Sequence, residues 1–134
     1  FGLENGSGVS AAVKGVDLRL QDTSVSGLRL LSAGPAVEIP GDLLASPAMG
    51  RLIARLAGDA DMVLFDAPPL TVAADAVELA SQVDGVLLVV AAGVTKRDEA
   101  QQAKELLQRV GARLIGAALV NVPGSATTQK YLTA

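Results

Sequence analysis

Residues 85–120 read GVLLVVAAGVTKRDEAQQAKELLQRVGARLIGAALV, and their periodicity decides the fold class. Gly85–Ala91 is a continuous apolar run of strand length, with no polar residue to mark a solvent face. Thr95 then stands where a cap is wanted for a helix over Lys96–Val110. In that helix Ala100, Ala103, Leu106, Leu107 and Val110 make an inward stripe, and the charged residues lie outside it. Gly111 supplies a stop, and Leu114–Val120 returns to an unbroken apolar run. Two strands apolar on both faces, separated by one helix, are the pattern of parallel strands joined by a right-handed crossover.

The same pattern continues upstream. Met62-Val63-Leu64-Phe65-Asp66 is a further apolar run, closed by an acid and followed by Ala67-Pro68-Pro69. Proline cannot donate to a ladder, so this predicted strand ends at Asp66 or Ala67. Ala73–Val83 predicts a short helix that Asp75 is placed to cap, and Asp84-Gly85 makes the turn into the next strand. A firmer helix is predicted over Pro47–Ala57. Ser46 is its N-cap, Pro47 takes the first helical position, and Met49, Leu52, Ile53 and Leu56 form one stripe, with Gly58 as the left-handed stop. Leu28–Ser32 predicts a short strand halted by Ala33-Gly34-Pro35. Pro40-Gly41 marks a turn leading into one helical turn at Asp42-Leu43-Leu44, and the weakly patterned first 26 residues have room for a helix at Val9–Val13. The expectation is an α/β domain over residues 1–134, a three-layer parallel sheet with flanking helices.

Composition narrows the chemistry. The chain of 134 residues is one domain's worth, and with 50% hydrophobic and 19% charged residues it is not disordered. Its aromatic residues are Phe1, Phe65 and Tyr131, so the core is built from Ala, Val, Leu and Ile. The absence of Cys excludes disulfides, thiol nucleophiles and zinc–thiolate sites. The absence of His excludes an imidazole base and a Ser-His-Asp triad, leaving carboxylates, Lys and Arg, hydroxyls, backbone N–H groups and hard cations. A net charge of −3 gives no electrostatic footprint for nucleic acid, so none is expected as a partner. The longest apolar run, Val86 to Ala92, has the length of a strand and not of a membrane span.

Two residues stand where an open α/β sheet binds ligands, at the carboxyl ends of strands. Asp66 closes the Met62–Asp66 run; in phosphate-handling sheets an acid there positions Mg²⁺, and elsewhere it caps the following turn. Asn121 closes the last strand, where its amide can read a base edge or simply initiate the turn at Val122-Pro123-Gly124. The glycine-rich stretch Gly2–Gly8 lacks the Lys of G-x-x-x-x-G-K-[ST] and follows no strand, so it is not a phosphate loop. The Lys96–Glu105 charges read as a solvated helix face, and Tyr131 as part of a mobile tail.

The ordered set Phe1-Gly2-Leu3, Gly8-Val9-Ser10, Leu31–Pro35, Pro40–Pro47, MVLFDAPPL at Met62–Leu70, Asp75-Ala76, Asp84–Val90 and Gly116–Asn121 resembles the bacterial tyrosine kinases. These are capsule and exopolysaccharide kinases related to MinD/ParA-type P-loop ATPases. Nearly the whole chain takes part, with Asp42 standing for a usual Glu and Ala67 for a usual Thr. The resemblance implies a P-loop sheet in which Asp66 supports Mg²⁺ and is catalytic, and in which Asn121 approaches the adenine of ATP. It implies a homo-oligomeric cytoplasmic kinase at the inner face of the membrane, beside a membrane-anchored polysaccharide co-polymerase that activates it, phosphorylating tyrosines of its own tail. On this alignment the chain is the C-terminal part of the kinase domain, with the P-loop and its strand expected before Phe1. The isolated chain is then expected to be inactive towards ATP and to fold poorly, re-pair its strands, or dimerise through apolar strand edges. A single tail tyrosine leaves two alternatives, a MinD/ParA-like partitioning ATPase and a non-catalytic adaptor that keeps only the sheet.

Overall fold

The computed structural model describes residues 1–16, 18–70 and 74–123, and for 74 and 75 the backbone alone. The chain forms two units, Phe1–Ala67 and Pro68–Ala134.

The first unit contains α1 (Val9–Val13), β1 (Gln21–Asp22), β2 (Arg29–Leu30), α2 (Pro40–Leu44) and α3 (Pro47–Asp59). Sequence and structure agree on α1 and the start of α3, whereas α2 takes in Pro40-Gly41, expected as a turn, because Pro40 at the first helical position loses no hydrogen bond. Ser46 caps α3 by accepting the Met49 N–H on its Oγ at 3.2 Å, and Met49, Leu52 and Leu56 bury one face. The expected stop at Gly58 is not used. The helix runs on to Asp59 and Ala60 turns extended (φ −147°), since an interior glycine costs a helix only about 1 kcal/mol.

The expected Leu28–Ser32 strand shrinks to β2, which pairs antiparallel with β1 (Gln21↔Leu30, Asp22↔Arg29) rather than joining a parallel sheet. The reason lies in where its following backbone groups go. Ser32 O accepts from Val9 N at 2.8 Å and Ala33 O from Ser10 N at 3.0 Å, so residues 32–33 are tied to the start of α1. The predicted strand at Met62–Asp66 does not form either. No described segment pairs with it, and an apolar run without a hydrogen-bonded neighbour is not a strand.

The second unit contains α4 (Ala74–Ala80), β3 (Val86–Ala91), α5 (Arg97–Arg109) and β4 (Leu114–Val120). α4 is shorter than expected. Position 73 lies outside the described residues, and Asp75 falls inside the helix instead of ahead of it as a cap. Ala76, Leu79 and Ala80 are its buried side chains. β3 and β4 pair in parallel from Val86↔Leu114 to Ala91↔Val120, with one irregularity between Val86 and Leu87.

α5 is the crossover, and it starts one residue later than expected. Lys96 is its N-cap, and the backbone N–H of Lys96 donates to Glu99 Oε2 at 3.0 Å; an ammonium has no lone pair with which to return the favour. At the other end Gly111 (φ +70°) donates to Gln108 O at 3.1 Å and Ala112 to Leu107 O at 3.0 Å, a Schellman ending. Ala103 and Leu107 are buried, and Leu107 is fully sealed at 0% exposure. Val110 is exposed and not inward, because it lies past the last helical residue and leaves the stripe. Leu87, Val89, Ile115 and Leu119 are also exposed, so the two strands are not covered on both faces among the described residues.

Candidate functional site

Parallel pairing brings the carboxyl ends of β3 and β4 to one edge, and the hydrogen bond from Ala92 N to Val120 O (2.9 Å) closes that edge. The loop after β3 is held tightly there. Thr95 Oγ1 accepts the Ala91 N–H at 3.1 Å, while the Val94 and Thr95 N–H groups both donate to Ala91 O, at 3.2 and 2.9 Å. Gly93, at φ +72°, permits the reversal between them. Thr95 therefore ties the loop to the strand end instead of capping α5. The expectation of a cap was close in sequence but assigned the hydroxyl to the wrong backbone group.

Asn121 leaves β4 at this same edge and is exposed. Its backbone is left-handed, φ +56°, and it is the one non-glycine residue in that region among the described residues. Asparagine tolerates this conformation better than most side chains, and such outliers concentrate where a ligand is clamped or a turn is forced. The turn reading and the ligand reading are both compatible with an exposed, left-handed residue at the end of a parallel strand.

Asp66 belongs to the first unit, at the end of the Met62–Asp66 segment, and is exposed. Its carboxylate accepts no hydrogen bond from a described residue, so the capping role available to a strand-end acid is not taken up there. A hard cation asks for oxygen donors, and Asp66 offers two. No group of three or more His, Cys, Asp or Glu among the described residues could hold a metal ion. One carboxylate fits Mg²⁺ held chiefly by phosphate oxygens and water; it does not fit a cage made by the protein alone. Tyr131 and the tail around it lie outside the described residues.

The loop 92–95 was not singled out from the sequence as part of this edge. A Gly-x-Thr two residues past the end of an apolar run is the available signal, and helix capping competes for the same threonine.

The second unit is of the α/β class, with Asn121 and the loop after β3 at the carboxyl edge of a parallel strand pair, the edge at which open α/β sheets bind ligands. No protein-family model matches the chain. It is 34% identical over 120 residues to the tyrosine-protein kinase YwqD of Bacillus subtilis, an alignment covering 87% of this chain and 51% of that protein. Its structure is similar to that of the chimerical protein CapA2B2, with a TM-score of 0.86 and 28% identity, over 92% of this chain and 56% of that one. The kinase domain of VpsO is similar at a TM-score of 0.82 and 28% identity, over 89% of this chain and 60% of that domain. The chain is a homologue of the bacterial tyrosine-protein kinases, and it spans about half the length of the relatives it matches. Among the described residues no helix is long and apolar enough to cross a membrane.

Proposed function

We propose that this chain is part of an ATP-dependent protein-tyrosine kinase that acts in capsular or exopolysaccharide biosynthesis. One observation carries the reading: nine-tenths of the chain superposes on CapA2B2 with a TM-score of 0.86 while retaining 28% identity. Two polar residues support it chemically. Asp66 is the Mg²⁺-supporting carboxylate and Asn121 the side chain that meets the adenine. The metal's contribution, once bound with ATP, is to neutralise charge that builds on the transferred phosphoryl group. Asp66 would hold one side of the ion's oxygen shell in place, and an exposed carboxylate that accepts no hydrogen bond from a described residue is free to do so.

In this reading β3 and β4 are two neighbours in the larger three-layer parallel sheet of a P-loop domain, of which the chain is the C-terminal part. The whole kinase works at the cytoplasmic face of the membrane as a homo-oligomer, with a membrane-anchored polysaccharide co-polymerase as its activator. The apolar side chains exposed on β3 and β4 support the larger sheet, because strands apolar on both faces are found where both faces are covered.

The test is Asp66→Asn in the full-length kinase, read as phosphotyrosine formed on incubation with ATP and Mg²⁺. Turnover falls by about 10–100-fold if Asp66 orients the metal. Unchanged turnover removes Asp66 from the site, and ATP hydrolysis without phosphotyrosine in the unsubstituted protein replaces the kinase reading with that of a partitioning-type ATPase.

A further inference from the structure

Asn5 is followed by Gly6, and neither is buried. In an Asn-Gly pair the backbone nitrogen of the glycine meets no β-carbon as it approaches the asparagine Cγ. A β-carbon built on Gly6 itself would touch nothing within 4 Å, so the space beside the glycine is open. What restrains Asn5 is its carboxamide. Nδ2 donates to Gly34 O at 3.2 Å, and Oδ1 accepts from Gly34 N at 2.9 Å, so the side chain grips both backbone groups of one residue.

We propose that Asn5 is a deamidation site gated by this grip on Gly34, slow while the carboxamide is held and irreversible once it has reacted. When the grip opens, the Gly6 backbone nitrogen attacks Asn5 Cγ, a new N–C bond forms, and the Cγ–Nδ2 bond breaks with loss of ammonia. Water then opens the cyclic imide at either carbonyl, giving aspartate or isoaspartate. Neither product can restore the grip. A carboxylate still accepts from Gly34 N, but it has no N–H for Gly34 O and sets two oxygens against each other. Isoaspartate also lengthens the backbone by one carbon.

The grip matters beyond itself because Gly34 stands inside the junction that ties residues 7–10 to residues 32–35. Ser10 Oγ donates to Pro35 O at 3.0 Å and Ser32 Oγ to Ser7 O at 3.1 Å on either side of it. Conversion of Asn5 thus loosens one of several ties holding the amino-terminal segment down, a covalent change written by time and not by another enzyme.

The experiment incubates the purified 134-residue chain at mildly alkaline pH and follows the peptide containing Asn5 by mass spectrometry, beside a synthetic peptide of residues 1–10. Two neutral hydrogen bonds at about 1 kcal/mol each predict that the folded chain gains its one-dalton mass shift about ten- to thirtyfold more slowly than the peptide. Adding urea removes that protection. Ser10→Ala, which loosens the junction while leaving the Asn-Gly pair intact, raises the folded-state rate towards that of the peptide. Equal rates in folded chain and peptide overturn the gating, and a peptide that does not deamidate overturns the site itself.

Discussion

Gly8 and Gly34 approach each other so closely that neither position has room for a β-carbon. A Cβ on Gly8 would fall against Ser32 O and Gly34 N, and one on Gly34 would lie 3.1 Å from Gly8 N while also crowding Ser10 Oγ. Gly34 carries the further demand of φ +83°. Gly8→Ala is therefore expected to destabilise the first unit by about 1–3 kcal/mol, as backbone atoms cannot step aside the way a side-chain end can. Urea unfolding followed by circular dichroism reads this directly, and a wild-type midpoint for Gly8→Ala contradicts so close an approach.

Gly58 makes the opposite prediction. It lies inside α3, its backbone is helical, and a β-carbon added there would meet nothing within 4 Å. Gly58→Ala should stabilise the protein by about 0.5–1 kcal/mol through helix propensity alone. A loss of stability would mean that the glycine serves as the helix stop that its sequence position suggests.

Core weight in the second unit rests on Leu107, at 0% exposure on α5, the helix that packs against β4 and α4. Leu107→Ala leaves a cavity that close-packed neighbours fill only in part, so a cost of about 2–5 kcal/mol is expected. The same substitution at Leu87, 55% exposed on β3, should cost well under half as much in the same melting experiment. Comparable losses at the two sites would show that Leu87 is covered in solution.

The contrast between those leucines also explains what could be read from the sequence. β3, α5 and β4 were legible nearly to the residue, because the period changes from unbroken apolar to helical and back, and Gly111 closes the helix with a backbone conformation few residues adopt. Ser46 was legible as a cap for the same local reason. Met62–Asp66 was misread as a strand because composition reports that a segment could pair and says nothing of whether a partner is present. Leu28–Ser32 was overextended because the claim of Val9 and Ser10 on residues 32–33 comes from far along the chain. Asp66 and Asn121 were legible as polar groups closing apolar runs, whereas the tie from Thr95 to Ala91 depends on a loop closure that spacing alone does not reveal.

Exposed apolar strands carry their own expectation. Leu87, Val89, Ile115 and Leu119 are 55–63% exposed on a two-stranded parallel sheet whose outer edges pair with no described strand. Such edges template further pairing. The 134-residue chain should therefore elute above its monomer mass in size-exclusion chromatography, and a double change of Val89→Lys with Leu119→Lys should shift it towards the monomer. Elution as a monomer at every concentration tried would show that the strands are protected.

Asn121 allows its backbone and its amide to be tested apart. Replacing it with glycine keeps the left-handed conformation at φ +56° without strain and deletes only the carboxamide. Alanine deletes the carboxamide and also adds a conformational cost of about 1–2 kcal/mol. If the amide meets the adenine, Asn121→Gly in the full-length kinase weakens ATP binding by about 3–10-fold, the loss of one or two modest hydrogen bonds, and leaves the melting temperature unchanged. Asn121→Ala should weaken binding to the same degree and also lower the melting temperature. Should glycine leave ATP affinity intact while alanine still destabilises, the residue is only a turn former, and the adenine must be recognised elsewhere at the carboxyl edge.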